Sequence, residues 1–131
     1  MASYDAICRK VLSIDPSIRF AGIATLDGDI VIFQYKIGVT PLLTEEETSL
    51  SVMQSVMRAG TRRTLEHKLG KTAYATAVYE KVKRATIILY NEDSKADAAL
   101  IVSFERDADH EAIITEKILP FLDGIVKGLA N

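Results

Sequence analysis

Residues 18–36 read IRFAGIATLDGDIVIFQYK, two strand-forming runs separated by Asp27-Gly28. An Asp-Gly pair accepts positive φ as a two-residue turn, so the stretch predicts a β-hairpin with strands over Ile18–Leu26 and Asp29–Lys36. The first run mixes Ala21, Gly22 and Ala24 with Phe20, Ile23 and Leu26. Small residues in such a run mark an interior strand over which helices pack closely, with Gly22 admitting near backbone approach.

Before the hairpin, Tyr4, Ile7, Cys8, Val11 and Leu12 form a helical stripe, with Ser3 as N-cap. The spacing predicts a helix over Tyr4–Ser13, ended by Asp15-Pro16 because the residue preceding a proline avoids the helical region. After the hairpin, Gly38-Val-Thr-Pro-Leu-Leu43 reads as an extended crossing loop. Thr44 followed by Glu45, Glu46 and Glu47 is a capping box with its carboxylates at the positive end of a helix dipole. A long helix is expected from there to about Lys68, with Gly70 as its C-cap. Strands follow at Thr72–Tyr79, Ala85–Tyr90 and Ala99–Glu105, the last two joined by the polar turn Asn91–Lys95 and apolar enough to be buried on both faces. A final helix begins near Asp109, carries Ile114, Ile118, Leu122, Ile125 and Leu129, and should bend or split at Pro120.

The order α-β-β-α-β-β-β-α predicts an α/β fold: a five-stranded antiparallel sheet with the long helix on one face and the first and last helices on the other. With 131 residues the chain is read as a single domain over 1–131. No stretch reaches the roughly 18 uncharged apolar residues of a membrane helix, and Asp5, Arg9 and Lys10 interrupt any signal-peptide core. No membrane insertion and a cytoplasmic location are expected. The lone cysteine, Cys8, shares the first helix's apolar stripe and reads as a core thiol.

Few groups are arranged for chemistry. Gly70-Lys71-Thr72 resembles the end of a phosphate-binding loop, but position 65 is leucine where the motif needs glycine, and a helix precedes rather than follows. Asp107, Asp109, His110 and Glu111 cluster at a helix start, where they splay outward and favour the dipole; a zinc site would need further imidazoles or thiolates, and the chain has only two histidines and one cysteine. No histidine accompanies a serine or cysteine in a nucleophile context. The expectation is a protein that is not an enzyme and needs no metal or cofactor.

Two features point to partners. On a helical wheel Leu50, Val52, Met53, Val56, Met57, Ala59, Gly60 and Thr64 fill about half the circumference of the long helix, more than one sheet covers. Arg63 projects into that arc, snorkelling at its edge or paired across an interface. The third strand is rich in small uncharged residues and would be an unguarded edge. A homodimer through Met53, Val56, Met57, Gly60 and Tyr74 is expected. Second, residues 56–84 carry eight basic side chains against Glu66 and Glu80, a local balance of +6 within a net −2, so the rest of the chain sums to −8. Arg58, Arg62, Lys81, Lys83 and Arg84 form the expected basic patch for an unidentified protein partner. With no tryptophan and few tyrosines nearby, nucleic acid is disfavoured. Arg19 is expected to pair with a carboxylate and lock the junction of the first helix and first strand.

The element order and glycine hairpin together resemble the roadblock/LC7 fold, with profilin-like and PAS/GAF-like folds as topological relatives. The words Ile14-Asp-Pro-Ser-Ile-Arg-Phe-Ala-Gly-Ile23 and Gly38-Val-Thr-Pro-Leu-Leu43, followed by Leu69-Gly70 and Glu80-Lys-Val82, resemble an uncharacterised thaumarchaeal (archaeal) domain-of-unknown-function family. That family carries no established activity and transfers no site residues. The roadblock/LC7 resemblance implies a homodimeric scaffold for a small GTPase or a motor or membrane complex. The resulting expectation is a non-enzymatic interaction or regulatory module. The alternative is a PAS/GAF-like small-molecule sensory domain, which would need a pocket between sheet and helix that the abundant Ile, Leu and Val are expected to fill.

Overall fold

The computed structural model describes residues 3–130, and side chains through residue 125. One side of its sheet is the hairpin of β1 (Ile18–Ala24) and β2 (Ile30–Tyr35). Its connection is wider than a two-residue turn. Gly28 N–H donates to Thr25 O at 3.0 Å and Thr25 N–H to Asp29 O at 2.9 Å. Gly28 has φ +95° whereas Asp27 does not enter the left-handed region. A two-residue type I′ turn needs positive φ at both central positions. With one such residue the chain uses a longer loop, and the pairing shifts register between Ile23 and Ala24. Gly22 is tight against aromatic side chains rather than a helix: a Cβ there would lie 2.9 Å from Phe20 Cζ and 3.2 Å from Phe33 Cβ.

The sheet is completed by β3 (Ala75–Val78), β4 (Val82–Tyr90) and β5 (Ala96–Glu105), in the order β2-β1-β5-β4-β3 with every pair antiparallel. β5 is central, and Leu100, Ile101, Val102 and Phe104 are fully buried, as a strand covered on both faces requires. β4 begins earlier than its apolar run because Lys83 and Arg84 pair with Phe104 and Ser103 of β5. β3 is shorter than expected and is an edge.

Helices cover both faces as the element order implied. α1 (Tyr4–Ile14) contributes Ile7, Cys8, Val11 and Leu12 to one core, with Ile18, Ile87, Phe104 and Ile114. Ser3 Oγ accepts from Ala6 N–H to cap it. α2 (Glu45–Arg63) contributes Val52, Val56 and Ala59 to a second core on the opposite face, with Phe20, Ala24, Ile88 and Ile101. Its capping box is complete: Thr44 Oγ1 accepts from Glu47 N–H and Glu47 Oε1 from Thr44 N–H.

α2 stops five residues earlier than its pattern implied, and α3 (Glu66–Leu69) follows as a single turn. Thr61 Oγ1 donates to Met57 O and Thr64 Oγ1 to Thr61 O, while Thr64 N–H turns back to Arg62 O and Thr61 O. Threonine hydroxyls thus take up carbonyls at the helix end and tighten its last turn. The C-terminal helix neither breaks nor splits at Pro120. α4 (His110–Ile113) widens into a π-helical turn at Ile114–Ile118 and continues as α5 (Leu119–Ala130). Widening just before the proline accommodates the carbonyl against which its ring would clash. The Leu129 side chain, placed by sequence on this helix's stripe, lies outside the described residues. Among the described residues no helix is long and apolar enough to cross a membrane.

Candidate interaction surfaces and a cleft beneath the long helix

The outer face of α2 carries an apolar seam. Leu50, Met53 and Met57 are 49%, 40% and 64% exposed, and Gly60 and Thr64 continue the same three-and-four spacing. A Cβ on Gly60 would meet nothing within 4 Å, so the glycine opens a flat stretch at the surface. Two residues expected in this surface are elsewhere. Val56 is 3% exposed, because its side chain points into the sheet-side core. Tyr74 packs against the α1-side core, on the opposite face of the sheet. At the far side of the sheet β3 presents an edge, its Ala75 and Ala77 pairing with Thr86 and Arg84 of β4, while Met53 of the seam lies against Gly28 of the β1–β2 hairpin.

The expected basic patch is dispersed by the pleat. Successive residues of a strand point to opposite faces. Lys83 therefore joins Ala85 and Ile87 on the α1 side, where its Nζ donates to Ala108 O at 2.6 Å. Arg84 lies on the α2 side and donates to Ser51 Oγ. Arg58 and Arg62 sit exposed on α2, Arg58 within reach of Ser55 Oγ at 3.4 Å, and Lys81 is exposed on the β3–β4 turn. Ser55 is buried and satisfies its hydroxyl on Ser51 O. Arg63 has a buried Nη1 with no hydrogen-bond partner in the protomer.

Between the N-terminal half of α2, the crossing loop and the sheet runs a cleft of about 640 Å³, with predominantly apolar walls. Phe20 and Val82 floor it, Leu43 and Leu50 wall it, and Tyr35 and Tyr79 stand among its lining residues. The expectation that bulky aliphatics fill the space between sheet and helix therefore fails at this end, where the small side chains of Thr48, Ser51 and Ser103 lie among the lining residues. Arg19, also in the lining, donates to Glu105 Oε1 at 2.9 Å and to Thr40 O at 3.1 Å. The expected carboxylate pair is present, but it ties β1 to the end of β5 and to the crossing loop rather than to α1. Arg84 lines the same cleft, and burial holds its guanidinium below its ordinary range despite the Tyr79 side chain that also engages it. Its place here follows from strand phase and hairpin register, which no local motif announces.

The remaining candidates are structural. Cys8 is fully buried, and desolvation, with a smaller contribution from Asp5, pushes its thiol up to about 11. Gly70 caps α3 at φ +85°, and Lys71 spends its ammonium on Ser94 O and the Tyr90 ring. Asp109 Oδ1 caps α4 by accepting from Ala112 N–H. Among the described residues no three His, Cys, Asp or Glu side chains are placed to hold a metal ion.

No protein-family model matches the chain, and no curated protein matches its sequence. Solved structures do match its fold. A roadblock/LC7 domain from Streptomyces avermitilis superposes with a TM-score of 0.70 at 11% identity, covering 99% of this chain and all of that one. MglB, solved with a tetrameric arrangement, gives a TM-score of 0.68 at 12% identity over 98% of this chain and 94% of its own. The inducer-binding domain of the transcription factor PobR from Acinetobacter, a double mutant in complex with 3-hydroxybenzoic acid, gives 0.54 at 13% identity over 96% and 94%. The chain has the roadblock/LC7 architecture.

Proposed function

We propose that this chain is a homodimeric, non-enzymatic regulatory module whose paired surface docks a protein partner, a small GTPase or another signalling protein. The observation that carries the reading is the self-complementarity of α2. Its first turn holds Glu45, Glu46 and Glu47 and its last turn Arg62 and Arg63. Two copies crossing antiparallel about the Met53–Met57 seam bring each acidic end to the other's basic end. Arg63, half-buried and with an Nη1 that finds no hydrogen-bond partner among the described residues, belongs to that basic end. The β3 edge is a second surface left unpaired among the described residues, available to an edge strand of a partner. The fold it shares with MglB, itself solved in a tetrameric arrangement, supports the reading.

Light scattering on the purified chain tests it. The wild type is expected to run as a dimer and Met57→Lys or Gly60→Glu as a monomer, because each places a charge in a dry contact. A wild type that is monomeric at high concentration overturns the dimer. So does a dimer indifferent to both changes.

A second reading, small-molecule sensing, is favoured by the cleft beneath α2. It draws support from the PobR domain of the same architecture, which was solved with a small aromatic acid.

A further inference from the structure

From the geometry of the α2 cleft we infer that it is a binding site for a small aromatic monocarboxylate, with Arg84 as the residue that receives the carboxylate. The inference rests on the sensory reading and adds to it a ligand class and an anchor.

The argument begins with charge. Arg84 sits half-buried on the α2 face of β4, where its Nη1 donates to Ser51 Oγ and the Tyr79 side chain stands nearby. Among the described residues no carboxylate lies within 4 Å of it. A guanidinium has five N–H donors, and two neutral oxygens leave both donors and charge unanswered. Arg58 stands close enough to add like-charge repulsion, which deepens the demand for an anion. The other charged groups of the lining are already committed or lie in solvent. Arg19 is spent on Glu105 and Thr40, Glu47 caps α2, and Glu80 and Lys81 are exposed on the turn. A carboxylate meets a guanidinium in a planar, two-bond fork, the strongest neutralisation available to an arginine in apolar surroundings.

The walls set the rest of the ligand. A volume of about 640 Å³ lies within the range of small-molecule sites. Phe20, Tyr35 and Tyr79 give it aromatic surfaces, and Phe20 and Tyr35 already meet edge to face with centroids 5.0 Å apart. A ring on the ligand extends that arrangement, whereas a second charge would face Glu47 or Glu80. One carboxylate and one apolar ring is the chemistry that fits.

The test titrates the full-length protein with 3-phenylpropionate and with 3-phenylpropionamide, its neutral analogue, by calorimetry. The acid is expected to bind at least tenfold more tightly than the amide. Arg84→Gln is expected to abolish that preference and Arg84→Lys to keep part of it. Leu43→Trp, which narrows the cleft from an exposed loop position without touching Arg84, is expected to block the acid and keeps the test decisive if Arg84→Gln fails to fold. Acid and amide binding equally well would overturn the carboxylate assignment while leaving the sensory reading standing. Binding of neither overturns both. A short apolar peptide bearing one glutamate that binds where the free acid does not assigns the cleft to a protein partner and overturns the inference.

Discussion

Lys83 and Arg84 are consecutive in β4 and serve opposite faces of the sheet: Lys83 Nζ holds the Ala108 carbonyl, and Arg84 holds Ser51 on α2. The first joins the β4 start to the loop that leads into α4. The second joins it to the long helix. Lys83→Met therefore removes a charge-assisted hydrogen bond and leaves the carbonyl of a buried residue short of a partner. Urea denaturation should show a loss of about 1–3 kcal/mol, with the affinity of the α2 cleft unchanged. Equal loss of cleft affinity would place both side chains on one surface and contradict the pleat.

Gly60 separates the stability of the protomer from that of the proposed dimer. A methyl group there meets nothing inside the protomer, and alanine exceeds glycine in helix propensity by roughly 1 kcal/mol. Gly60→Ala should raise the stability of the dilute, monomeric chain by about that amount. In the same variant the proposed dimer should dissociate more readily, since the flat stretch on α2 is filled. Thermal melts across a dilution series read both effects.

Cys8 gives a pH signature. Its thiol is raised from 9.0 to about 11 in the fold, so the folded state keeps its proton where the unfolded chain has lost it. The unfolded state binds fewer protons across that window, and stability falls as pH rises from 9 toward 11. The loss should reach at most about 2 kcal/mol. Below pH 9 the contribution is fully present. Cys8→Ala should flatten this limb of the profile, and the native thiol should resist a thiol reagent until the chain is unfolded.

Arg19 tests the crossing loop. Its ion pair with Glu105 is part-buried, the two side chains being 15% and 43% exposed, and its second donor anchors Thr40 O. Arg19→Ala should cost about 1 kcal/mol and raise hydrogen exchange in residues 37–43. Glu105→Gln should reproduce the stability loss but leave the loop protected, because Thr40 is still held.

Much of this architecture was legible in the chain. The capping box at Thr44 and Glu47, the Ser3 cap, the Ile/Leu/Val runs of β4 and β5 and the burial of Cys8 are local or periodic properties, and local patterns survive folding. Failures cluster where distant parts meet. Val56 lies within the apolar arc of α2, yet which part of a wide arc meets the sheet is decided by packing, and the sheet took Val56 and left Met53 and Met57 outside. The basic residues looked contiguous because one dimension cannot show that Lys83 and Arg84 diverge. The cleft was invisible for the same reason: Arg84, Ser51, Tyr35 and Tyr79 converge through strand register. The early end of α2 does have a local signal, Thr61 and Thr64 following Gly60, whose hydroxyls compete for the last helical carbonyls.

The π-helical turn at Ile114–Ile118 changes how the end of the chain tolerates insertion and deletion. One extra residue is absorbed in that turn, so Ile113 and Ile114 at its start and Leu122 and Ile125 after it all reach the same core although they belong to two helical phases. Deleting one residue between Thr115 and Lys117 would restore a regular α-helix and rotate everything downstream by about 100°. Ile118, Leu122 and Ile125 would swing away from the core while Ile113 and Ile114 stayed in place. The turn thus works as an angular coupling: it sets the azimuth of the last helix independently of its attachment, and a homologue could re-aim that helix by a single-codon change without disturbing the sheet.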